Sequence, residues 1–372
     1  MKKAILPGFI CLALAALILW KFPSLLSVQP DIPGLTADQR VLLRIWAVDS
    51  PGGGLAWLKA QLHRFEKANP HLSTYLRLVS PEELTDPEAL LPDVVLYLPG
   101  NVTEPEALFL PLSGDMPARD GLLREELLRC GRWRNQQYGL PLCWGGWVLA
   151  IDSALEPGSA QTPAPTTLLG RPAATASAGA TQEPGYPLAA ASRADCPLQS
   201  PGGAALFSLG LLLEERPPLP QDFGALSPHT VYSAFQKKQC ATAMLTTGQA
   251  ASFASLTSGG GGFAHRILTP QEIVTDQVWL ASVTREAPPE AALLLSFLTS
   301  SDAQRALSSQ ALHTVRRDLA LYAADIPSRV EHAAAESLAA INAYIPQEQV
   351  RQAAWQFFQG QCTLSEALLP LM

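Results

Sequence analysis

Apolar positions along this chain fall into short continuous runs that alternate with stripes at helical spacing. Residues 41–47, dense in Val, Leu, Ile and Trp, read as a strand. Asp49-Ser50-Pro51 and the glycines at 52–54 make a turn, after which Leu55, Leu58, Leu62 and Phe65 recur with helical period up to Lys67. Asn69-Pro70 stops that helix. Residues 72–79 supply a second strand. Residues 93–98 supply a third, whose unbroken apolar run suits a strand buried on both faces. Strand, helix, strand, connection, strand is an α/β pattern.

A helix near 121–129 leads into the most informative stretch, residues 137–152. Val148 to Ile151 is a short apolar run of the buried-strand kind. Just upstream, Pro141 removes a ladder donor and Gly145-Gly146 removes side chains, so the backbone there is free to bend or to be approached closely. Trp144 and Trp147 flank that weak point. Beyond it, residues 156–185 are loaded with Pro, Ala, Thr, Ser and Gly without a period, which predicts a long surface insertion. Pattern then resumes: a strand at 186–191, helices at 204–215 and 231–238, and a strand at 242–246. Residues 247–262 read as small and flexible. A buried strand at 275–283 and a helix at 288–299 follow, and the tail turns all-helical at 301–309, 329–344, 347–360 and 362–368.

Composition narrows the picture. A length of 372 residues predicts two domains, and 48% hydrophobic with 16% charged residues marks a folded chain. A formal charge of -7 without a long basic run argues against nucleic-acid binding. At the start, Met1-Lys2-Lys3 precedes an uncharged apolar run from Ala4 to Trp20, closed by Lys21. That run is just long enough to span a bilayer, and the positive-inside rule places everything after it outside the cytoplasm. No small-x-small cleavage site follows, so an uncleaved anchor is expected, with a cleaved export signal as the alternative. Cys130, Cys143, Cys196, Cys240 and Cys362 lie beyond that run, an odd number without Cys-x-x-Cys spacing, and are expected as buried or partly buried thiols, with one disulfide as the alternative. The six histidines lack metal-ligand spacing and no phosphate-cradling Gly-x-x-x-x-Gly-Lys-Ser/Thr occurs, so no catalytic set, metal or cofactor is expected.

Four segments, in order, resemble the extracytoplasmic solute-binding proteins of ABC importers, the family that includes the maltose-binding proteins. They are Ile45-Trp46 with the helix closing on Phe65-Glu66-Lys67; Pro92-Asp93-Val94-Val95-Leu96-Tyr97 with the stretch from Tyr138-Gly139 to Ile151-Asp152; Thr242-Ala243-Met244 with Gly248; and residues 276–282 with the helices at 291–298 and 303–307. Residues 156–185 have no counterpart, and the second lobe matches only in patches. The resemblance implies an α/β, two-lobed periplasmic-binding-protein-like (type II) fold with crossover hinge strands and a helical C-terminal tail. It divides the chain into a signal anchor or signal peptide at 1–27, a spacer at 28–37, lobe one at 38–144 and 276–313, and lobe two at 145–275 with the tail at 314–372.

The resemblance also implies a function: an extracytoplasmic, membrane-anchored receptor that captures a small solute, with a carbohydrate favoured, and delivers it to the transmembrane subunits of an ABC permease. If the N-terminal segment is cleaved, the receptor is secreted or periplasmic. A monomer is expected. The alternative is a membrane-anchored sensor using the same lobes to signal to a membrane partner. Strand ends facing the cleft are the expected ligand contacts. These are Trp46 and Asp49 after the first strand; Tyr97, Gly100 and Asn101 after the third; Trp144, Gly145 and Gly146 at the crossover; Thr247 after the lobe-two strand; and Trp279 on the return crossover. Side-chain alternation puts Trp144 and Trp147 on opposite sides, and Trp144 is taken as the one facing the ligand. Ala250 stands where the family often carries an aromatic, which removes one sugar platform.

Overall fold

The computed structural model describes residues 40–84, 91–112, 121–152, 198–213, 223–258 and 265–372. The apolar run at 4–20, the insertion at 156–185, the strand expected at 186–191, Cys11 and Cys196 lie outside them. No helix among the described residues is long and apolar enough to cross a membrane.

The elements that matter below are, in chain order, β1 (Val41–Ala47), α1 (Gly54–Ala68), β2 (Leu72–Leu78), β3 (Val94–Tyr97), α2 (Glu125–Cys130), β4 (Leu140–Trp144), β5 (Trp147–Asp152) and β6 (Leu198–Gln199). There follow α3 (Ala204–Leu212), α4 (Pro228–Gln236), β7 (Thr242–Thr246), α5 (Thr247–Ser258), β8 (His265–Leu268), β9 (Ile273–Thr275) and β10 (Val278–Val283). The chain ends with α6 (Glu290–Leu298), β11 (His313–Thr314), α7 (Ile326–Glu336), β12 (Leu338–Ala340), α8 (Gln347–Phe358) and α9 (Leu364–Leu368).

Among the described residues, β11-β4-β10-β3-β1-β2 form a six-stranded sheet and β8-β5-β7-β6 a four-stranded one. The first three strands of the chain run parallel, because each is followed by a connection that returns to the same end of the sheet. β10 enters antiparallel between β3 and β4, with a register shift between Trp279 and Leu280 opposite Pro141, the residue without a ladder donor. α1 buries Trp57, Leu58, Leu62 and Phe65. Trp57 Nε1 donates to Ala303 O at 2.9 Å and Phe65 meets Phe297 edge-on at 5.4 Å, so this helix is locked to the segment that returns after β10. The six-stranded sheet is therefore one lobe assembled from two separate stretches of chain.

The second lobe centres on β5 and β7, paired antiparallel from Trp147↔Thr246 to Ile151↔Thr242. α3 is apolar all round and packs under α8, where Phe207 and Phe357 lie 5.6 Å apart. Two expectations fail here. Residues 247–258 are a helix, because Thr246 and Gln249 cap one another: Gln249 N donates to Thr246 Oγ1 at 3.3 Å and Thr246 N to Gln249 Oε1 at 3.0 Å. The helix expected at 329–344 stops at Glu336, and Leu338–Ala340 pairs parallel with Ile273–Thr275 as a small separate sheet.

The tail also departs from a purely lobe-two position. Its segment from Ile341 to Tyr344 is pinned to lobe one: Cys130 Sγ donates to Ile341 O at 2.9 Å, Ala343 N to Cys130 O at 2.8 Å, and Gly100 N to Ala343 O at 2.8 Å. The Tyr344 and Tyr97 hydroxyls share a hydrogen bond of 3.0 Å. Only from Gln347 does α8 turn to the other lobe. Cys130 and Cys143 are buried free thiols, Cys240 is buried and Cys362 is half-buried. Burial raises the pKa of Cys130 and Cys143, keeping both protonated.

Candidate ligand cleft

Two crossovers join the lobes and are bonded to each other. Between β4 and β5, Gly145 N donates to Gln277 O at 2.9 Å; at the end of β9, Thr275 Oγ1 donates to Gly145 O at 2.6 Å. Gly146 is held by Thr247, whose amide and hydroxyl both reach the Gly146 carbonyl, at 2.9 and 3.1 Å. A Cβ on Gly146 would lie 2.7 Å from Val330 Cγ1, so only glycine lets α7 approach this closely.

Beside the crossovers lies a cleft of about 800 Å³, within the ~300–1,000 Å³ range of small-ligand sites. Lobe one supplies the turn after β1 (Asp49, Ser50, Gly52) and Leu98-Pro99 after β3. Lobe two supplies Pro201 to Gly203 ahead of α3, the entry to α4 from Gly224 to His229, and Thr246 with Gln249. Trp147, Asp276 and Gln277 line it from the crossovers. The start of α8 adds Gln347, Glu348, Val350 and Arg351.

Asp276 ties this region together. One carboxylate oxygen accepts from Trp147 Nε1 at 3.0 Å and Gln277 Nε2 at 3.1 Å; the other accepts from Ala204 N at 3.1 Å, at the positive end of α3. Gly203 stands at φ 65 just before that helix, and a Cβ there would come within 2.6 Å of the same oxygen. A single side chain thus joins a crossover, the first residue of β5 and a lobe-two helix. Gln249 Nε2 donates to Pro228 O at 3.2 Å, and Ser227 Oγ accepts from Thr230 N at 3.2 Å, which fixes the α4 entry.

Of the residues expected at the ligand, Asp49 is on the wall. Its backbone carbonyl accepts from Trp279 Nε1 at 2.7 Å, so Trp279 is a buried prop behind the turn, edge-on to Trp57. Trp46 is buried with the Arg77 guanidinium 5.3 Å from its ring centre, away from the cleft. Tyr97 is enclosed between Phe109, stacked at 5.7 Å, and the hydroxyls of Ser282 and Tyr344; burial raises its pKa. Gly100, at φ 87, lies against Gln347, and Asn101 follows it outside the cleft wall. Gly145, Gly146 and Thr247 spend their polar groups on one another and on Gln277 and Thr275.

Trp144 requires the largest correction. It has no exposed surface; its Nε1 donates to Thr314 O at 3.0 Å and its ring stacks on His313 at 4.4 Å. Trp147 is the tryptophan that lines the cleft, although the residue is only 1% exposed. Both tryptophans lie inside; alternation is broken by the two glycines, which belong to neither strand.

The comparisons give a fold. No family model and no curated protein matches the sequence. Solved structures do. The GacH receptor of Streptomyces glaucescens, determined unliganded and with acarbose, is 14% identical with a TM-score of 0.59, covering 88% of this chain and 95% of that one. The maltose-maltodextrin binding protein of Alicyclobacillus acidocaldarius is 14% identical at a TM-score of 0.53, covering 89% and 98%. The maltose/maltodextrin-binding domain MalE from Bdellovibrio bacteriovorus, bound to maltotriose, is 13% identical at 0.53, covering 88% and 96%. The fold of this chain is thus the two-lobed, periplasmic-binding-protein-like one.

Proposed function

We propose that this protein is an extracytoplasmic substrate-binding receptor that captures a carbohydrate between its lobes and delivers it to the membrane subunits of an ABC permease. The observation that carries the reading is the cleft itself, walled by both lobes and flanked by two mutually bonded crossovers. A ligand touching both walls favours the closed arrangement by its differential contacts alone, and nothing need be chemically changed. Structures of the same fold hold acarbose and maltotriose, which supports a sugar here. The apolar run at 4–20 would tether the receptor to the membrane.

The cleft offers a sugar amide, hydroxyl and carboxylate groups from Gln249, Gln277, Gln347, Ser227 and Asp49. Its apolar surface comes from Leu98, Pro99, Ile345 and Leu226, the last 41% exposed, in place of an open aromatic platform. Melting midpoints measured against a panel of di-, tri- and tetrasaccharides test the reading. A binding sugar at 100 times its Kd stabilises by about 2.7 kcal/mol and raises the midpoint. If no saccharide raises it and tryptophan emission is unchanged by all of them, the receptor reading is wrong.

A further inference from the structure

The charged groups facing the cleft are few: Asp49, Asp276, Glu348 and Arg351, with His229 at the α4 entry. Arg351 is the only Arg or Lys among the described lining residues, and it is committed to Glu348 by contacts of 2.7, 2.9 and 3.1 Å. Asp276 is committed as well, with a donor on each oxygen. Asp49 differs from both. One of its oxygens accepts from Ser50 N at 2.7 Å, and no described Lys, Arg or His lies in ion-pair range. Trp279, buried and bonded to the Asp49 carbonyl, fixes the turn and so the position of the carboxylate. Partial desolvation by the surrounding walls raises its pKa, with the Ser50 amide opposing. The anion is therefore held, without a counter-ion, in a place where a cation would relieve it.

We infer that the cleft selects amino sugars, carbohydrates bearing an ammonium group, over their neutral and acidic counterparts, and that Asp49 is the residue that reads this charge. The inference rests on the carbohydrate-receptor reading and adds the ligand's charge class to it. An acidic sugar meets Asp49, Asp276 and Glu348 with no uncommitted Arg or Lys on the described walls, whereas an ammonium gains a charge-assisted hydrogen bond as closure removes water from the pair.

The test uses the full chain purified in mild detergent and titrated calorimetrically at pH 6.5 with matched disaccharides: the glucosamine dimer with free amines, its N-acetylated form, cellobiose and cellobiouronic acid. The free-amine sugar should bind at least about tenfold tighter than the neutral ones, the low end for a desolvated charge pair, and the advantage should shrink with added salt. Asp49→Asn should erase the preference for the free-amine sugar over cellobiose, and Asp49→Glu should keep it. Because the Asp49 carboxylate bonds only its neighbour's amide and the Trp279 contact is to the backbone, both variants should fold, with thermal midpoints near that of the parent. Equal affinities for all four sugars, tightest binding of the uronate, or a preference that survives Asp49→Asn overturns the inference while sparing the receptor reading. Absence of binding by these sugars and by maltotriose overturns both.

Discussion

Truncating Trp144 to alanine, and separately to phenylalanine, separates a core role from a ligand role. The side chain is fully buried, with its Nε1 on the Thr314 carbonyl and its ring stacked 4.4 Å from His313. Alanine removes a buried indole and strands that carbonyl, which together cost about 4–5 kcal/mol, the upper part of the range for large-to-small core changes. Phenylalanine keeps most of the apolar volume and loses the hydrogen bond, at about 1–2 kcal/mol. With about 2 °C of midpoint per kcal/mol in larger chains, thermal unfolding should fall by roughly 8 °C for alanine and roughly 3 °C for phenylalanine. Sugar affinity of the folded phenylalanine form should stay within about threefold of the parent, since Trp144 does not line the cleft. A phenylalanine form that melts like the parent but has lost its ligand would refute this placement.

Gly146→Ala drives a methyl to within 2.7 Å of Val330 Cγ1, so it should destabilise by about 1–3 kcal/mol in a denaturant titration; an unchanged midpoint would show that α7 gives way freely. His313 is fully enclosed, and burial lowers its pKa against the opposing pull of Glu331 at 3.5 Å and of Asp325, with Arg124 adding to the lowering. The unfolded chain then takes up the proton first, so stability is intact above about pH 6.5 and is lost as pH falls below it. His313→Gln should flatten the slope of melting midpoint between pH 7 and 5, and an equal slope in both proteins would refute the assignment.

Much of lobe one was legible because its strands are apolar throughout and its first helix has a clean stripe. β1, β3 and α1 fall where the runs at 41–47 and 93–98 and the stripe from Leu55 to Phe65 put them. The crossover at Gly145-Gly146 was legible for the same reason: two glycines after a proline-bearing strand leave few other readings. α5 was hidden because its Ala, Ser and Thr residues carry no period, yet Thr246-x-x-Gln249 is a helix-start signal that was present in the sequence. The site was the least legible part. Pro201 to Gly203 and Gly224 to His229 come to the cleft through long-range packing, and no local pattern marks them. Trp144 and Trp147 were told apart by a period of two that holds only within an unbroken strand.

The short run from Ile341 to Tyr344 gives α8 the mechanics of a lever. Its fulcrum, the Tyr344 hydroxyl on Tyr97, is set in lobe one, while the arm lies along lobe two and presents Gln347 and Arg351 to the cleft. Under the receptor reading, a solute held by Gln347 and Arg351 would load the fulcrum, where Trp133 meets the Tyr344 ring edge-on at 6.0 Å. Trp133 does not line the cleft, so its emission becomes a remote gauge of occupancy: Trp133→Phe should remove part of the ligand-induced fluorescence change and leave the affinity alone.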